Sequence, residues 1–345
     1  MSAEAEANMV PVLAVTRDMD VETRRRPVRR IVALVAALLA LSVLAGCTVP
    51  RPPGAAPLRY RDQVFSNVQV TRDLQYGSAP DSNGNPVVLR LDLYQPTGDT
   101  QTLRPALVWV HGGSFSGGDK TNIVPTDVAN TFAKLGYVVV SINYRLLGSG
   151  CVANPSNCFI AALEAKHDAQ AAVRWLRANA STYRIDTSRI GIGGESAGGI
   201  TATLVGLYSE DTGTSGNPGY PSTVRGFVSV SGGLPGGAFA SSGDALGLFF
   251  HGTADGTVSP DWSVQTAVAM LKAGVPAWLQ LKDGAGPVPW AQYRSLYLEQ
   301  ADWFLYHALD LAHAHGQPVS AARASERQLK QLEAQTPMLQ RYLER

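Results

Sequence analysis

The chain has 345 residues, of which 45% are hydrophobic, and a formal net charge of +1. This length and composition suffice for a buried core and exclude a fibrous or wholly disordered protein. Basic and acidic side chains are equally numerous after residue 46. This balance gives no reason to expect a nucleic-acid partner.

Residues 1–46 are typical of an export signal. Arginines at 24–26 and 29–30 precede the apolar run 31–44, which is shorter than the roughly 20 residues that span a bilayer. Residues 44–47 read Leu-Ala-Gly-Cys and resemble the lipobox of bacterial lipoproteins. The resemblance implies lipidation of Cys47 and anchoring to the outer face of a bacterial membrane. The alternatives are an ordinary signal peptide and a membrane anchor with an incidental cysteine.

The other two cysteines are Cys151 and Cys158, which enclose a short loop. Export to an oxidising compartment favours a disulfide between them, which would fix that loop rather than the whole domain. Two free thiols are the alternative. No His or Cys cluster accompanies them, so we expect neither a metal site nor a cofactor.

Composition divides the rest of the chain into three parts. Residues 47–59 are rich in proline, arginine and alanine, and this composition is typical of a tether. A catalytic or binding domain is expected over 60–315. The charged tail 316–345 favours a solvated helix or disorder, with a partner-binding segment as the alternative.

The hydrophobic pattern predicts an α/β fold. Alternating stretches at 68–76 and 87–94 predict a hairpin. Further strands are predicted at 106–110, 137–142, 190–193, 224–230, 246–251 and 277–281, and helices at 127–135, 160–180, 200–208, 262–273 and 292–311. This alternation predicts a mostly parallel central sheet with helices on both faces.

A candidate nucleophile follows the predicted strand 190–193. Residues 194–198 read Gly-Glu-Ser-Ala-Gly and fit the G-x-S-x-G pattern of a nucleophile elbow. A serine on such a tight strand-to-helix turn needs small neighbours because its backbone is strained. The pattern predicts Ser196 as the nucleophile and the Ala197 amide, at a helix N-terminus, as an oxyanion donor.

A second candidate motif lies directly after the predicted strand 106–110. His111 is followed by Gly112 and Gly113, and glycines let a backbone approach a substrate closely. Their N–H groups are therefore predicted to face a developing oxyanion. The two motifs together are much less probable by chance than either one alone.

These motifs, with His-Gly-Thr-Ala-Asp at 251–255, resemble the carboxylesterase and lipase branch of the α/β-hydrolases from about residue 60 to residue 311. The resemblance implies an α/β-hydrolase fold, hydrolysis of a small-molecule ester, and Asp255 as the acid of a catalytic triad. The order of serine followed by acid also favours Asp255. Short connections over 231–246 predict no large lid. The alternatives are a turn-capping Asp255 and a structural Ser196.

The residue at the expected position of the triad base is a proline. The resemblance implies a histidine after Gly-x-Gly, but residues 284–287 read Gly-Ala-Gly-Pro. Pro287 cannot accept a proton, so Ser196 lacks an activating base. Loss of the base costs about 10⁶ in kcat in a serine protease, with about 10³ to 10⁴ over water remaining. Two functions stay open: an ester hydrolase of doubtful turnover, and an impaired relative that binds an ester-like ligand or an envelope partner.

No other histidine has the sequence position expected for the base. His111 begins the glycine motif, His251 ends a predicted strand, and His307 lies in the closing helix. His167, His313 and His315 lie in the helix before the elbow or at the end of the domain. We therefore predict that none of them replaces the missing base.

Overall fold

The computed structural model describes residues 57–81, 83–147, 155–237 and 239–311. All of them belong to one unit, Gly54–Arg345, whereas the unit Met1–Pro53 lies outside the described residues. The expected signal segment, the lipidation site Cys47, most of the tether, Cys151 and the tail 316–345 also lie outside them. Lipidation and the disulfide between Cys151 and Cys158 therefore stay predictions.

Strands and helices alternate along the described chain. The strands are β1 (Val68–Pro80), β2 (Pro86–Pro96), β3 (Arg104–Val110), β4 (Val138–Ile142), β5 (Ile185–Glu195), β6 (Gly226–Val230), β7 (Leu246–Gly252) and β8 (Ala277–Lys282). The helices are α1 (Ile123–Leu135), α2 (Pro155–Ala178), α3 (Ala180–Tyr183), α4 (Ala197–Leu207), α5 (Pro260–Lys272) and α6 (Trp290–Ala308).

The strands form one mostly parallel sheet in the order β1-β2-β4-β3-β5-β6-β7-β8. Strand β2 pairs antiparallel with both β1 and β4, and the other pairs are parallel. Parallel strands all end at the same edge, so the loops after β3, β5, β7 and β8 meet there. These four loops carry the predicted site residues.

Two hydrophobic cores lie on opposite faces of the sheet because side chains alternate along each buried strand. In β3, Ala106, Val108 and Val110 pack in the core formed with α2, α4 and α5. Leu107 and Trp109 pack in the other core, formed with α1 and α6. The predicted arrangement of a parallel sheet covered on both faces is confirmed.

Most predicted elements are confirmed, but β5 is longer than its apolar pattern. It begins at Ile185 and includes the polar residues 186–189, because Ile185 pairs with Arg104 at the start of β3. The short helix α3 was not predicted. Residues 231–237 and 239–245 contain no helix or strand, as expected for a chain without a large lid.

No described helix has both the length and the apolar composition needed to cross a bilayer.

Close packing of β5 against β3 predicts that Gly193→Ala destabilises the fold. A Cβ at Gly193 would lie 2.5 Å from Cζ3 of Trp109, a rigid and buried ring. Overpacking of this kind costs about 1–3 kcal/mol of unfolding free energy. Urea unfolding measures the loss.

Gly256→Ala is the matched control, since a Cβ there has no heavy atom within 4 Å. Its unfolding free energy should stay within about 0.5 kcal/mol of the native value. Equal stability of the two variants would contradict the close packing of Gly193.

Candidate active site

Ser196 lies on a strained turn between β5 and α4. Its φ of +53° and ψ of −119° are rare for a residue with a side chain. Its N–H donates to Val230 O at 2.8 Å, and its C=O accepts from Ile200 N at 3.0 Å. The turn is thus held by both β6 and α4, and it leaves the Ser196 side chain partly exposed.

The two glycines of the elbow are required by close contacts of the backbone. A Cβ at Gly198 would lie 2.0 Å from Val110 O, and one at Gly194 would lie 2.5 Å from the carbonyl carbon of Gly198. Both distances are far below van der Waals contact. This steric reason agrees with the small neighbours expected for a nucleophile elbow.

The segment 111–118 after β3, which we call the glycine loop, adjoins the elbow. A Cβ built on Gly112 would lie 3.2 Å from Ser196 Cβ. The loop is tightly wound, with positive φ at Gly113 (129°), Ser114 (53°) and Phe115 (57°). The structure therefore brings together the two motifs that are 83 residues apart in the sequence.

The expected role of Gly112 as an oxyanion donor needs correction. Its N–H donates to Glu195 Oε1 at 3.0 Å and is therefore already engaged. Gly113, the next residue, and Ala197, the first residue of α4, remain the predicted donors. The N–H groups in the first turn of a helix lack intrahelical acceptors, which suits Ala197 for this role.

Glu195 is a residue of the site that the sequence reasoning missed. Its side chain is buried, and its Oε2 accepts from Trp109 Nε1 at 2.7 Å while Oε1 accepts from Gly112. Burial raises the pKa of Glu195 to about 8. The sequence offered one signal for this role, namely that Glu195 is a charged residue within a run of small residues of the kind that is usually buried.

His111, the first residue of the glycine loop, is held by contacts with Tyr144 and Gly112. Its ring stacks on Tyr144 with centroids 4.5 Å apart, and Tyr144 OH donates to His111 O at 3.2 Å. Burial lowers the pKa of His111, so the ring is neutral near pH 7. His111 Nδ1 lies 2.7 Å from Gly112 O and, as the donor, fixes the tautomer.

Asp255 is fully buried in the loop after β7. Its Oδ1 accepts from Thr257 N at 2.8 Å and from Val258 N at 2.9 Å. Its Oδ2 has no hydrogen bond to any described residue, although His251 Nε2 lies 3.3 Å away. One oxygen is thus fixed by the backbone, and the other is available to orient a base.

His251 has a structural environment. The ring is fully buried, with Nδ1 2.6 Å from Ser263 Oγ and Nε2 3.0 Å from Val258 O. Burial lowers the pKa of His251. One nitrogen is occupied by Val258 in the loop that carries Asp255 and the other by Ser263 on α5, so this ring is not a base for Ser196.

Position 287 lies in a loop that touches the Asp255 loop. Ala254 N donates to Ala285 O at 2.9 Å, and a Cβ at Gly252 would lie 2.2 Å from that oxygen. Pro287 itself is exposed. The next residue, Val288, has a φ of +40°, and its N–H donates to Ser231 Oγ at 3.0 Å. The loop expected to carry the base is therefore present next to the Asp255 loop, but it has a proline at position 287.

No histidine in the described part of the chain is hydrogen-bonded to the Ser196 hydroxyl. His167 pairs with Asp211 at 2.9 Å, and His307 packs against Trp303 with ring centroids 4.8 Å apart. His313 and His315 lie outside the described residues. Within the described ranges there is also no group of three or more His, Cys, Asp or Glu side chains suited to a metal ion.

The raised pKa of Glu195 predicts a pH-dependent stability difference between the native chain and Glu195→Gln. The Glu195 carboxyl of the folded chain retains its proton up to about pH 8, whereas the ordinary pKa of a glutamate side chain is 4.5. Its stabilising contribution is therefore complete below pH 4.5 and is lost as the pH rises through about 8.

Urea unfolding from pH 4.5 to 9 checks this difference. The native chain should lose unfolding free energy relative to Glu195→Gln up to about pH 8 and then run parallel to it. Asp302, whose pKa burial also raises to about 8, is present in both chains and cancels from the difference. Parallel curves over the whole range would contradict the assignment.

One family model, BD-FAE, matches residues 91–227. This range includes the glycine loop and the elbow with Ser196, and it ends before Asp255 and Pro287. The family match therefore concerns the nucleophile half of the site.

Two curated relatives match part of the chain. Fumonisin B1 esterase of Sphingopyxis macrogoltabida is 33% identical over 124 residues, which is 34% of this chain and 22% of the relative. Esterase LipI of Mycobacterium tuberculosis is 32% identical over 152 residues, 42% of this chain and 43% of the relative. The chain thus spans less than half the length of either protein.

A thermophilic esterase from Thermogutta terrifontis, Est2, has a similar structure. The TM-score is 0.56 at 24% sequence identity, with 72% of this chain and 95% of that chain covered. This likeness and the strand order agree on the same topology. The chain therefore has the α/β-hydrolase fold, and part of it is similar in sequence to esterases.

Proposed function

We propose that this chain is a serine hydrolase that cleaves small carboxylic esters through an acyl-enzyme on Ser196. The observation that carries this proposal is the strained turn at Ser196, a partly exposed residue that lies beside the glycine loop. A strained backbone costs free energy, and a partly exposed serine at a helix N-terminus adds little packing in return, so a purely structural role does not explain it. The similarity to esterases supports the same chemistry.

The first chemical step joins Ser196 Oγ to the acyl carbon of the ester. The resulting oxyanion is stabilised by the N–H groups of Ala197 and Gly113, which are fixed before the reaction starts. Collapse of this intermediate breaks the bond to the alkoxy group and releases the alcohol. Water then attacks the acyl-enzyme and releases the carboxylic acid, which restores Ser196.

A base is needed to take the Ser196 proton and to deliver it to the leaving alcohol. In a complete triad an imidazole at position 287 would do this, with its second nitrogen bonded to the available Oδ2 of Asp255. Pro287 cannot do so. The expected consequence is weak turnover that depends on the oxyanion donors and on substrate binding.

The absence of a helix or strand in the described residues between β6 and β7 favours an open site. An open site suits soluble esters with short acyl groups or bulky alcohols. This substrate class is part of the proposal.

The second candidate is a catalytically impaired relative that binds an ester-like ligand or an envelope partner. Pro287 is the observation that favours it, because a proline at the expected position of the base leaves the proposed acid and nucleophile without one. The two candidates differ in whether the native chain turns over an ester with the help of Ser196.

Pro287→His is predicted to raise the hydrolysis of p-nitrophenyl acetate by at least about 10³-fold, because it supplies the base that Ser196 and Asp255 lack. Initial rates against substrate concentration measure kcat and KM. Pro287→Ala is the matched control, since it removes the proline without adding a base, and its rate should stay near the native one.

Two further variants identify the groups involved. Adding Ser196→Ala to Pro287→His should abolish the gain, and adding Asp255→Asn should remove most of it. No gain from Pro287→His would show that the base belongs elsewhere. Efficient, Ser196-dependent turnover by the native chain would instead exclude the impaired relative.

We also propose that the protein is exported and anchored to a membrane by a lipid on Cys47. Only the sequence pattern of residues 24–47 supports this part of the proposal.

Cys47→Ser is predicted to release the protein from the membrane fraction of a bacterial host, because serine cannot carry the thioether-linked lipid. Immunoblots of membrane and medium fractions measure the distribution. Thr48→Ala, which keeps Cys47, should stay with the membrane. Retention of the Cys47→Ser protein in the membrane fraction would argue for an uncleaved anchor.

A further inference from the structure

The glycine loop is fixed at two successive peptide groups. Glu195 Oε1 accepts from Gly112 N, which holds the peptide between His111 and Gly112. His111 Nδ1 lies 2.7 Å from Gly112 O, which holds the peptide between Gly112 and Gly113. Because a peptide group is planar, fixing its C=O also fixes the direction of its N–H. The His111 contact therefore directs the Gly113 N–H, a predicted oxyanion donor, and Glu195 holds the peptide group that precedes it.

Glu195 holds Gly112 while being held itself. Its Oε2 accepts from Trp109 Nε1 at 2.7 Å, and this indole lies on β3, the strand that leads into the glycine loop. Glu195 directly precedes Ser196 at the end of β5. One carboxyl group thus links the backbone of the elbow to the backbone of the glycine loop.

A purely space-filling role does not explain this carboxyl group. Glu195 is buried, and an apolar side chain of similar volume would fill the space without the cost of removing a carboxyl from water. A hydrogen-bond acceptor at position 195 can hold a facing N–H group in one direction, which an apolar side chain cannot do. The N–H of Gly112 is such a group, and the close approach of Gly112 to Glu195 O leaves no room for a side chain there.

We propose that Glu195 is a positioning residue that holds the Gly112 amide and so, together with the His111 contact on Gly112 O, keeps the Gly113 N–H directed at the oxyanion formed on Ser196. The catalytic part of this inference rests on the proposed ester hydrolysis. The structural part of the inference, that Glu195 holds the Gly112 amide, does not depend on ester hydrolysis.

Two double variants separate the acceptor from its surroundings. Glu195→Met with Trp109→Phe removes the acceptor but keeps an unbranched side chain of similar length. Glu195→Gln with Trp109→Phe keeps a carbonyl oxygen for Gly112 and removes the indole donor that the Gln amide nitrogen would otherwise oppose. The two proteins share the Trp109→Phe change and differ only at Glu195.

Hydrogen exchange at the Gly112 amide, read by mass spectrometry with fragmentation of the intact full-length chain, tests the hold directly. We expect at least tenfold faster exchange in the Met variant than in the Gln variant. Urea unfolding confirms that both variants are folded. Equal exchange in two folded variants would overturn the proposal.

The catalytic consequence is measured with Pro287→His added to both double variants. Loss of one aligned oxyanion donor predicts a kcat for p-nitrophenyl acetate about 10²-fold lower in the Met variant, with little change in KM. The Gln variant should retain most of the rate. Equal kcat in the two variants would overturn the positioning role even if exchange differs.

The two failures are distinguishable. If Pro287→His alone gives no hydrolysis, the proposed function fails, and the exchange rates still decide whether Glu195 holds Gly112. If Pro287→His is active and exchange is unaffected by the acceptor, the positioning role fails and the proposed function stands.

Discussion

The strained backbone at Ser196 is the constraint on which the site depends. A residue with φ +53° and ψ −119° costs free energy, and the surrounding structure must hold it in place. Here β6 accepts the Ser196 N–H through Val230 O, and α4 begins directly after it. The small residues on both sides follow from this, since Gly194 and Gly198 touch each other and the end of β3. The position of Ser196, the start of α4 and the close approach of Gly194 and Gly198 to β3 therefore all belong to one turn.

Two buried carboxyl groups of the candidate site, Asp255 and Glu195, have different environments. Asp255 has one oxygen fixed by two backbone N–H groups and a second oxygen without a hydrogen bond to a described residue. Glu195 has both oxygens engaged, one by an indole and one by a backbone amide. The second oxygen of Asp255 lies 3.3 Å from His251 Nε2 without a hydrogen bond to it, whereas both oxygens of Glu195 restrain groups on neighbouring parts of the chain.

The sequence was sufficient for the fold because its strands are short apolar runs separated by helical patterns. It was sufficient for the strained turn at Ser196 because the glycines of that motif have a steric cause. It was insufficient for Gly112, whose N–H was expected to face the substrate and instead faces Glu195. No local pattern contains that contact, since Gly112 lies in the loop after β3, Glu195 ends β5, and the two residues are far apart in the chain. The early start of β5 was missed for a similar reason, because pairing of Ile185 with Arg104 outweighs the polar character of residues 186–189.

The loop that carries Pro287 is held by contacts of its backbone and does not depend on the side chain at position 287. Its backbone is fixed by contacts that a histidine side chain would not make, namely Ala254 N to Ala285 O and Val288 N to Ser231 Oγ. Pro287 is exposed, so a residue there contributes little to the core. Because α/β-hydrolase folding draws on the sheet and the elbow, a chain can lose the base and keep the nucleophile, the acid and the oxyanion donors. Under the proposed function, chemistry at Ser196 then depends on the residue at one exposed position, 287.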